Sequence, residues 1–288
     1  MNHLIGRRSV LYGLSGMAGL PMRQIWSNVL KYPYKIKIGA CDWSIGQHSE
    51  VKSLAVGQEI GLDGVQVSLG KVENNMHLRR VEIQKAYKQA AKRYGVKIAS
   101  LAIGELNKYP YKSDQQTIKW VEDSIQVAKD MKCKVILLAF FGKGDLKNDD
   151  IGQREVIQRL KNVMPEAEKL GITLGIESWL SASEHMKIID AVGSSNLKVY
   201  YDVANSEKMG YDIYEEIRWL GAQICEIHMK ENGALLGQGR VDFVKVAEAM
   251  ADIRYSGWVQ IEGAVPKGTE MLPSYRQNNA FLRKTFGL

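Results

Sequence analysis

Gly171-Ile-Thr-Leu-Gly-Ile-Glu177, Leu197-Lys-Val-Tyr-Tyr-Asp202, Ile224-Cys-Glu-Ile-His228 and Trp258-Val-Gln-Ile-Glu262 are four apolar runs, each closed by an ionisable residue. Their last residues lie 25, 26 and 34 positions apart, and a helical pattern fills each interval. That spacing is the length of one strand-helix-strand unit. Residues that end successive strands of a parallel barrel meet at its C-terminal rim, where the chemistry of such barrels sits.

Working outward, the same alternation runs through the rest of the chain. Strands are predicted over 35–41, 64–69, 96–103 and 134–141 ahead of these four, and the run 134–141 is continuously apolar, as in a strand buried on both faces. Helices are predicted over 49–60, 77–94, 114–131, 153–170, 183–192, 211–220, 242–253 and 273–286, with Ser49 as the first N-cap and glycine after most helix ends. Eight strands alternating with eight helices predict an α/β fold, a single (β/α)8 TIM barrel over 31–288, rather than an open doubly wound sheet. No glycine-rich dinucleotide fingerprint and no Walker loop is present.

Hydrophobic residues make up 45% and charged residues 25% of the 288, an ordinary globular balance with an ample core. The formal charge of +7 permits an anionic partner. Yet bases such as Lys85, Lys88, Lys92 and Arg93 are interleaved with Glu82 and Gln89 on one helical pattern, which reads as a solvated face. Cys41, Cys133 and Cys225 have neither metal-ligand nor disulfide spacing and read as buried thiols beside strands. Residues 1–30 read as a leader. Gly6-Arg7-Arg8-Ser9 before a short, weakly apolar run resembles a twin-arginine export signal, which implies a periplasmic protein, and a basic tail on a cytoplasmic enzyme is the other reading. The run is too short to span a membrane, so no stable membrane anchor is expected.

One carboxylate after a strand is often a helix cap, and Asp202 alone would read that way. Four ionisable residues at equivalent places in consecutive repeats read instead as a metal site of Glu177, Asp202, His228 and Glu262. Three carboxylates gathered at a barrel mouth repel one another and lose solvent, and a divalent cation offsets both costs. Oxygen-rich ligands with one imidazole suit Mn²⁺ first, then Mg²⁺, with Co²⁺ or Zn²⁺ also compatible, and leave positions for two substrate oxygens.

From Lys35 onward the chain resembles the sugar phosphate isomerase/epimerase superfamily, the xylose isomerase-like barrels. The resemblance is carried by Gly175-Ile-Glu177, Tyr201-Asp202-Val-Ala-Asn205, Ile227-His228-Met-Lys230-Glu231, Leu236-Gly-Gln-Gly-Arg-Val-Asp-Phe243 and Gln260-Ile-Glu262-Gly. It implies that the glutamates at 177 and 262 both hold the metal and move protons. One would abstract the proton α to a carbonyl of a small carbohydrate or hydroxy-keto compound, a metal-stabilised cis-enediolate would form, and the other would return the proton. Lys230, two residues after His228 on the same strand face, is placed with them as a catalytic residue, against the alternative of a salt bridge with Glu231 or a rim carboxylate.

Substrate-binding residues are expected at Trp43, Glu105, Phe140, Trp179, Asn205 and Arg240, with Phe141 beside Phe140; aromatics at strand ends suit the C–H faces of a sugar, and core packing is the equal alternative for them. His185, on a predicted helix, reads as a packing or surface histidine, and His48 and His77 have weaker claims. Lys143 and Lys147 are the only obvious phosphate candidates, so a free sugar is favoured. Inosose- and dehydroshikimate-type dehydratases share the barrel and the first proton abstraction, with Glu105 as the acid such chemistry would use. Apurinic endonucleases share it too, but the resemblance implies extra histidines for a three-zinc cluster, and Ser68-Leu69-Gly70, Gly104-Glu105, Asn205 and Arg240-Val-Asp242 supply none. No nucleic-acid partner is therefore expected. A non-catalytic sugar-binding barrel and a homo-oligomer are further readings.

Overall fold

The structure is a computed structural model that describes Tyr32 and residues 34–288. The leader expected over 1–30, with its twin-arginine resemblance, lies outside the described residues. Eight parallel strands close a barrel in sequence order: β1 (Ile36–Cys41), β2 (Gly64–Ser68), β3 (Lys97–Ile103), β4 (Val135–Phe140), β5 (Thr173–Ser178), β6 (Leu197–Asp202), β7 (Ile224–Glu231) and β8 (Gly257–Gly263). Closure comes from β1 pairing with β8, with Gly39 opposite Gln260. A Cβ on Gly39 would stand 2.1 Å from Gln260 Oε1, so the seam leaves no room for a side chain there.

The helices are α1 (Ser53–Ile60), α2 (Val81–Tyr94), α3 (Gln116–Met131), α4 (Asp150–Leu170), α5 (Ala182–Val192), α6 (Val203–Lys208), α7 (Ile213–Leu220), α8 (Phe243–Asp252) and α9 (Met271–Phe286). The one not expected is α6, a single short helix that begins directly after Asp202. The main core lies between the strands and the helix ring, whereas Ala102, Leu137, Ala139 and Tyr200 pack separately inside the barrel. Among the described residues no helix is long and apolar enough to cross a membrane.

Two helix starts differ from expectation. Ser49 does not cap α1: it sits at φ +65°, its N–H donates to Asp42 Oδ2 and its hydroxyl pairs with His77, so the chain needs a further turn before the helix begins at Ser53. His77 does not open α2. It belongs to a short 3-10 turn, and the helix starts at Val81.

Candidate metal centre and active site

β5, β6, β7 and β8 deliver Glu177, Asp202, His228 and Glu262 to the C-terminal rim, where one ligand atom from each lies within 4.8 Å of all the others. His228 Nδ1 is at the centre, 2.9 Å from Glu177 Oε1, 3.6 Å from Glu262 Oε2 and 3.8 Å from Asp202 Oδ2. Asp202 divides its two oxygens between structure and site. Oδ1 accepts from the Asn205 N–H at 2.8 Å and caps α6, while the buried Oδ2 has no hydrogen-bond partner. A buried carboxylate oxygen without a hydrogen bond is costly, and here only the Lys230 ammonium, 3.5 Å away, and the His228 ring face it. The donor set and this oxygen both fit a divalent ion held by these four residues.

Charge in the cluster is unevenly shared. Burial pushes Asp202 up, against the pull of the Lys230 ammonium. Burial also opposes ionisation of Glu262, but His228 and Lys230 outweigh it and hold that carboxyl below the usual range. For His228, burial works against the imidazolium, and the neighbouring Cys41, Glu177 and Glu262 reverse the balance and raise it well above the ordinary histidine value. Lys230 Nζ donates to Glu262 Oε2 at 2.7 Å and lies 3.5 Å from Asp202 Oδ2, so it forms the salt bridge with rim carboxylates that was the alternative reading, and none with Glu231. Glu262 Oε1 accepts from Trp43 Nε1 at 2.9 Å.

Above the cluster opens a cavity of about 520 Å³, a usual size for a small-molecule site. Of the residues expected to bind substrate, Trp43, Glu105, Trp179 and Asn205 line it together with Glu177, Lys230 and Glu262. Burial and the nearby Glu73 raise the Glu105 carboxyl. Phe140 does not line the cavity. Glu177 pairs in register with Ala139, so Ala139 faces the barrel axis and Phe140 points the other way, into the core beneath the helices. Phe141 takes the expected place, held by an N–H donated to Asn107 Oδ1 and packed edge-to-face on Trp179 at 4.9 Å. Arg240 is also misplaced by the sequence reading. It projects to solvent at 81% exposure and pairs with Glu207, while its backbone N–H is tied down by Glu231.

His48, Asn107 and Lys108 line the cavity without having been singled out strongly; Asn107 and Lys108 lie at the rim loop after β3, the only signal that marks them. Lys143 and Lys147 do not line it, and Lys147 is engaged by Glu184 and the Tyr211 hydroxyl. His185 is buried between the Ser178 hydroxyl and the Ser181 carbonyl, as a packing histidine. His77 pairs with Ser49 away from the cavity lining.

A second polar layer lies one step down the barrel. The residue two positions before each ligand faces the same way: Gly175, Tyr200, Glu226 and Gln260. Gly175 is required because a Cβ there would stand 2.7 Å from Cys225 Sγ and 3.1 Å from Tyr200 Cβ. Ser100 and Tyr200 donate to Glu226 Oε2 at 2.8 and 3.0 Å, and burial raises that carboxyl to about 7. Gln66 connects this layer to the metal centre, with its Oε1 lying 3.2 Å from His228 Nε2.

Residues 54–285 match the family model described as the xylose isomerase-like TIM barrel. Among curated relatives, a putative L-ribulose-5-phosphate 3-epimerase of Escherichia coli is 23% identical over 75% of this chain and 84% of its own length. D-psicose 3-epimerase of Enterocloster bolteae is 25% identical over 43% of this chain and 44% of its own. The chain spans only 62% of an uncharacterised protein of Methanocaldococcus jannaschii that it also matches. Among solved structures, D-psicose 3-epimerase of Clostridium cellulolyticum H10 superposes with a TM-score of 0.74 at 19% identity, covering 87% of this chain and 99% of that one. An L-ribulose 3-epimerase gives 0.73 at 18%, covering 88% and 95%. These superpositions bear on the barrel, and the family model extends from the second residue of α1 almost to the end of α9: the chain belongs to the xylose isomerase-like TIM barrel family.

Proposed function

We propose that the protein is a divalent-metal-dependent epimerase or isomerase of a small, unphosphorylated carbohydrate. The observation that carries this reading is the placement of two carboxylates, Glu177 from β5 and Glu262 from β8, on the floor of one cavity with the same imidazole nitrogen between them. Their strands are three apart around the ring, so the two groups approach a bound carbon from different sides. The relatives that carry epimerase names support the same class of reaction.

Glu177, Asp202, His228 and Glu262 would hold the cation, which when bound supplies positive charge for a substrate carbonyl oxygen and its neighbouring hydroxyl, Mn²⁺ being the ion that the ligands suit first. The chain's own groups do the rest. One glutamate removes the proton α to the carbonyl, and the other delivers a proton to the opposite face, which inverts the centre. Return of the proton to the neighbouring carbon would instead interconvert aldose and ketose. Trp43 and Lys230 keep Glu262 ionised and oriented by the two hydrogen bonds its oxygens accept. Lys230, at the cavity wall, is also the donor best placed for a substrate oxygen. Trp43, Phe141 and Trp179 offer apolar faces to the C–H side of a sugar.

A panel of ketoses and aldoses, with D-psicose, L-ribulose and its 5-phosphate included, incubated with Mn²⁺-loaded protein in deuterated water tests the reading by proton NMR. Deuterium α to a carbonyl with a new sugar signal is expected. Glu262→Gln should abolish that exchange while leaving the circular dichroism unchanged, and undiminished exchange would remove Glu262 from the mechanism. Exchange with loss of a hydroxyl would make the enzyme a dehydratase with Glu105 as its acid, and turnover of the phosphate ester alone would reject the unphosphorylated substrate.

A further inference from the structure

Gln66 sits on β2, remote in sequence from every ligand, yet its side chain is fully buried directly under His228. Its amide makes four contacts that leave no freedom of direction. Nε2 donates at 3.0 Å to both the Ser100 and the Tyr200 hydroxyl oxygens. Oε1 lies 3.3 Å from Cys41 Sγ and 3.2 Å from His228 Nε2.

The orientation of an amide is settled by its network, and here the network has a single solution. Each hydroxyl carries one hydrogen. Ser100 and Tyr200 both spend theirs on Glu226 Oε2, where the Gln260 amide also converges at 3.4 Å. As a carboxylate, Glu226 presents Oε2 as the acceptor of all three. Both hydroxyl oxygens are then left as acceptors and can only receive the two hydrogens of Gln66 Nε2. A flipped amide would set its oxygen against two oxygen lone pairs. So the carbonyl of Gln66 must face His228, and His228 must meet it with an Nε2–H. Cys41 Sγ lies 3.3 Å from both Gln66 Oε1 and His228 Nε2, and with a hydrogen already on Nε2 its S–H is directed to the Gln66 oxygen.

We propose that Gln66, aimed by Ser100, Tyr200 and Glu226, holds a hydrogen on His228 Nε2 and thereby reserves Nδ1, the nitrogen that faces Glu177, Asp202 and Glu262, for the cation. The four are positioning residues: none reaches the cavity, and they act only through the direction of hydrogen bonds from the barrel interior to one ring nitrogen. The donor of the direction is a carboxylate three links away, so a change at Glu226 is felt at the metal without any contact to it. Partners of this kind, behind a metal-ligating histidine, typically govern affinity by 10- to 100-fold.

The inference rests on the metal-site reading, and its test reads metal and ring directly rather than turnover. Mn²⁺ is titrated calorimetrically into the full chain, and ¹⁵N-histidine spectra of the Mg²⁺-loaded protein report the His228 ring. In the native protein a protected Nε2–H signal is expected. Gln66→Met should weaken Mn²⁺ about 10- to 100-fold and remove that signal. Glu226→Met should do the same at a distance, while Glu226→Gln, which can present its carbonyl oxygen where Oε2 lies, should restore both the signal and affinity to within about threefold of native. Should Gln66→Met fail to fold, the pair Ser100→Ala and Tyr200→Phe decides the matter, since it removes both acceptors of the Gln66 amide and leaves Gln66 in place. Native Mn²⁺ affinity and an unchanged Nε2–H signal in Gln66→Met, or in that pair, overturn the proposal. A Glu226→Gln protein as impaired as Glu226→Met overturns it as well, because charge rather than direction would then be what matters. Lack of Mn²⁺ binding by the native chain overturns the metal-site reading itself, an outcome distinct from the others.

Discussion

Asp202 shows how one side chain serves the fold and the site with different atoms. Oδ1 caps α6, and Oδ2 is a buried acceptor that receives no hydrogen bond. Asn keeps the first role, since it caps helices as well as Asp does, but brings no charge to the second. Asp202→Asn is therefore expected to leave the melting temperature of the chelator-treated protein equal or higher, because it removes a desolvated charge from an acidic cluster. The same variant should lose the stabilisation that Mn²⁺ confers on the native chain, about 2.7 kcal/mol at a free concentration a hundred times Kd, or several degrees in a scan. A chelator-treated variant that melts well below the native chain would instead make Asp202 chiefly a structural cap.

At the scale of elements, α5 carries a buried titratable contact with its own consequence. Burial holds His185 down to about 4, against the raising effect of the Ser181 carbonyl. The folded state thus prefers the neutral ring. Its contribution is whole above the unfolded value near 6.5 and is lost as pH falls through about 4, which amounts to up to about 3 kcal/mol. Urea midpoints at pH 7.5 and 4.5 should differ less for His185→Gln than for the native chain, and equal differences would show that the ring protonates without penalty. Elements were also where the sequence was read best and worst. The four ligand-bearing strands could be read because each ends an apolar run on a charged residue. The parity of β4 could not, because a continuous apolar run carries no period: only its register, Ala139 beside Glu177, shows that Phe141 and not Phe140 faces the axis. Ser49 misled for a different reason, since its hydroxyl is committed to His77, a partner 28 residues away. Gln66, Ser100, Glu226 and Gln260 carry a signal that the ligand pattern does not use, polar residues at alternate positions in otherwise apolar strands, with Glu226 and Gln260 two places before His228 and Glu262.

Over the whole molecule, the four candidate ligands are confined to the second half of the chain. β5 to β8 supply all four, and β1 to β4 close the ring around them. Binding of Mn²⁺ should therefore slow hydrogen exchange most in β5 through β8, with smaller gains in β2 to β4; uniform protection around the ring would mean that the barrel opens only as a unit. Besides Gln66, which reaches His228 from beneath, a link crosses from the first half at the cavity. Trp43, just after β1, donates to Glu262 and stands 6.2 Å from the His228 ring between centroids. A paramagnetic ion in that cluster lies close enough to drain the excited indole, so the protein contains its own optical gauge of occupancy. Addition of Mn²⁺ should dim tryptophan emission, Trp43→Phe should remove most of the response, and Mg²⁺, which lacks unpaired electrons, should leave the emission nearly as bright as before.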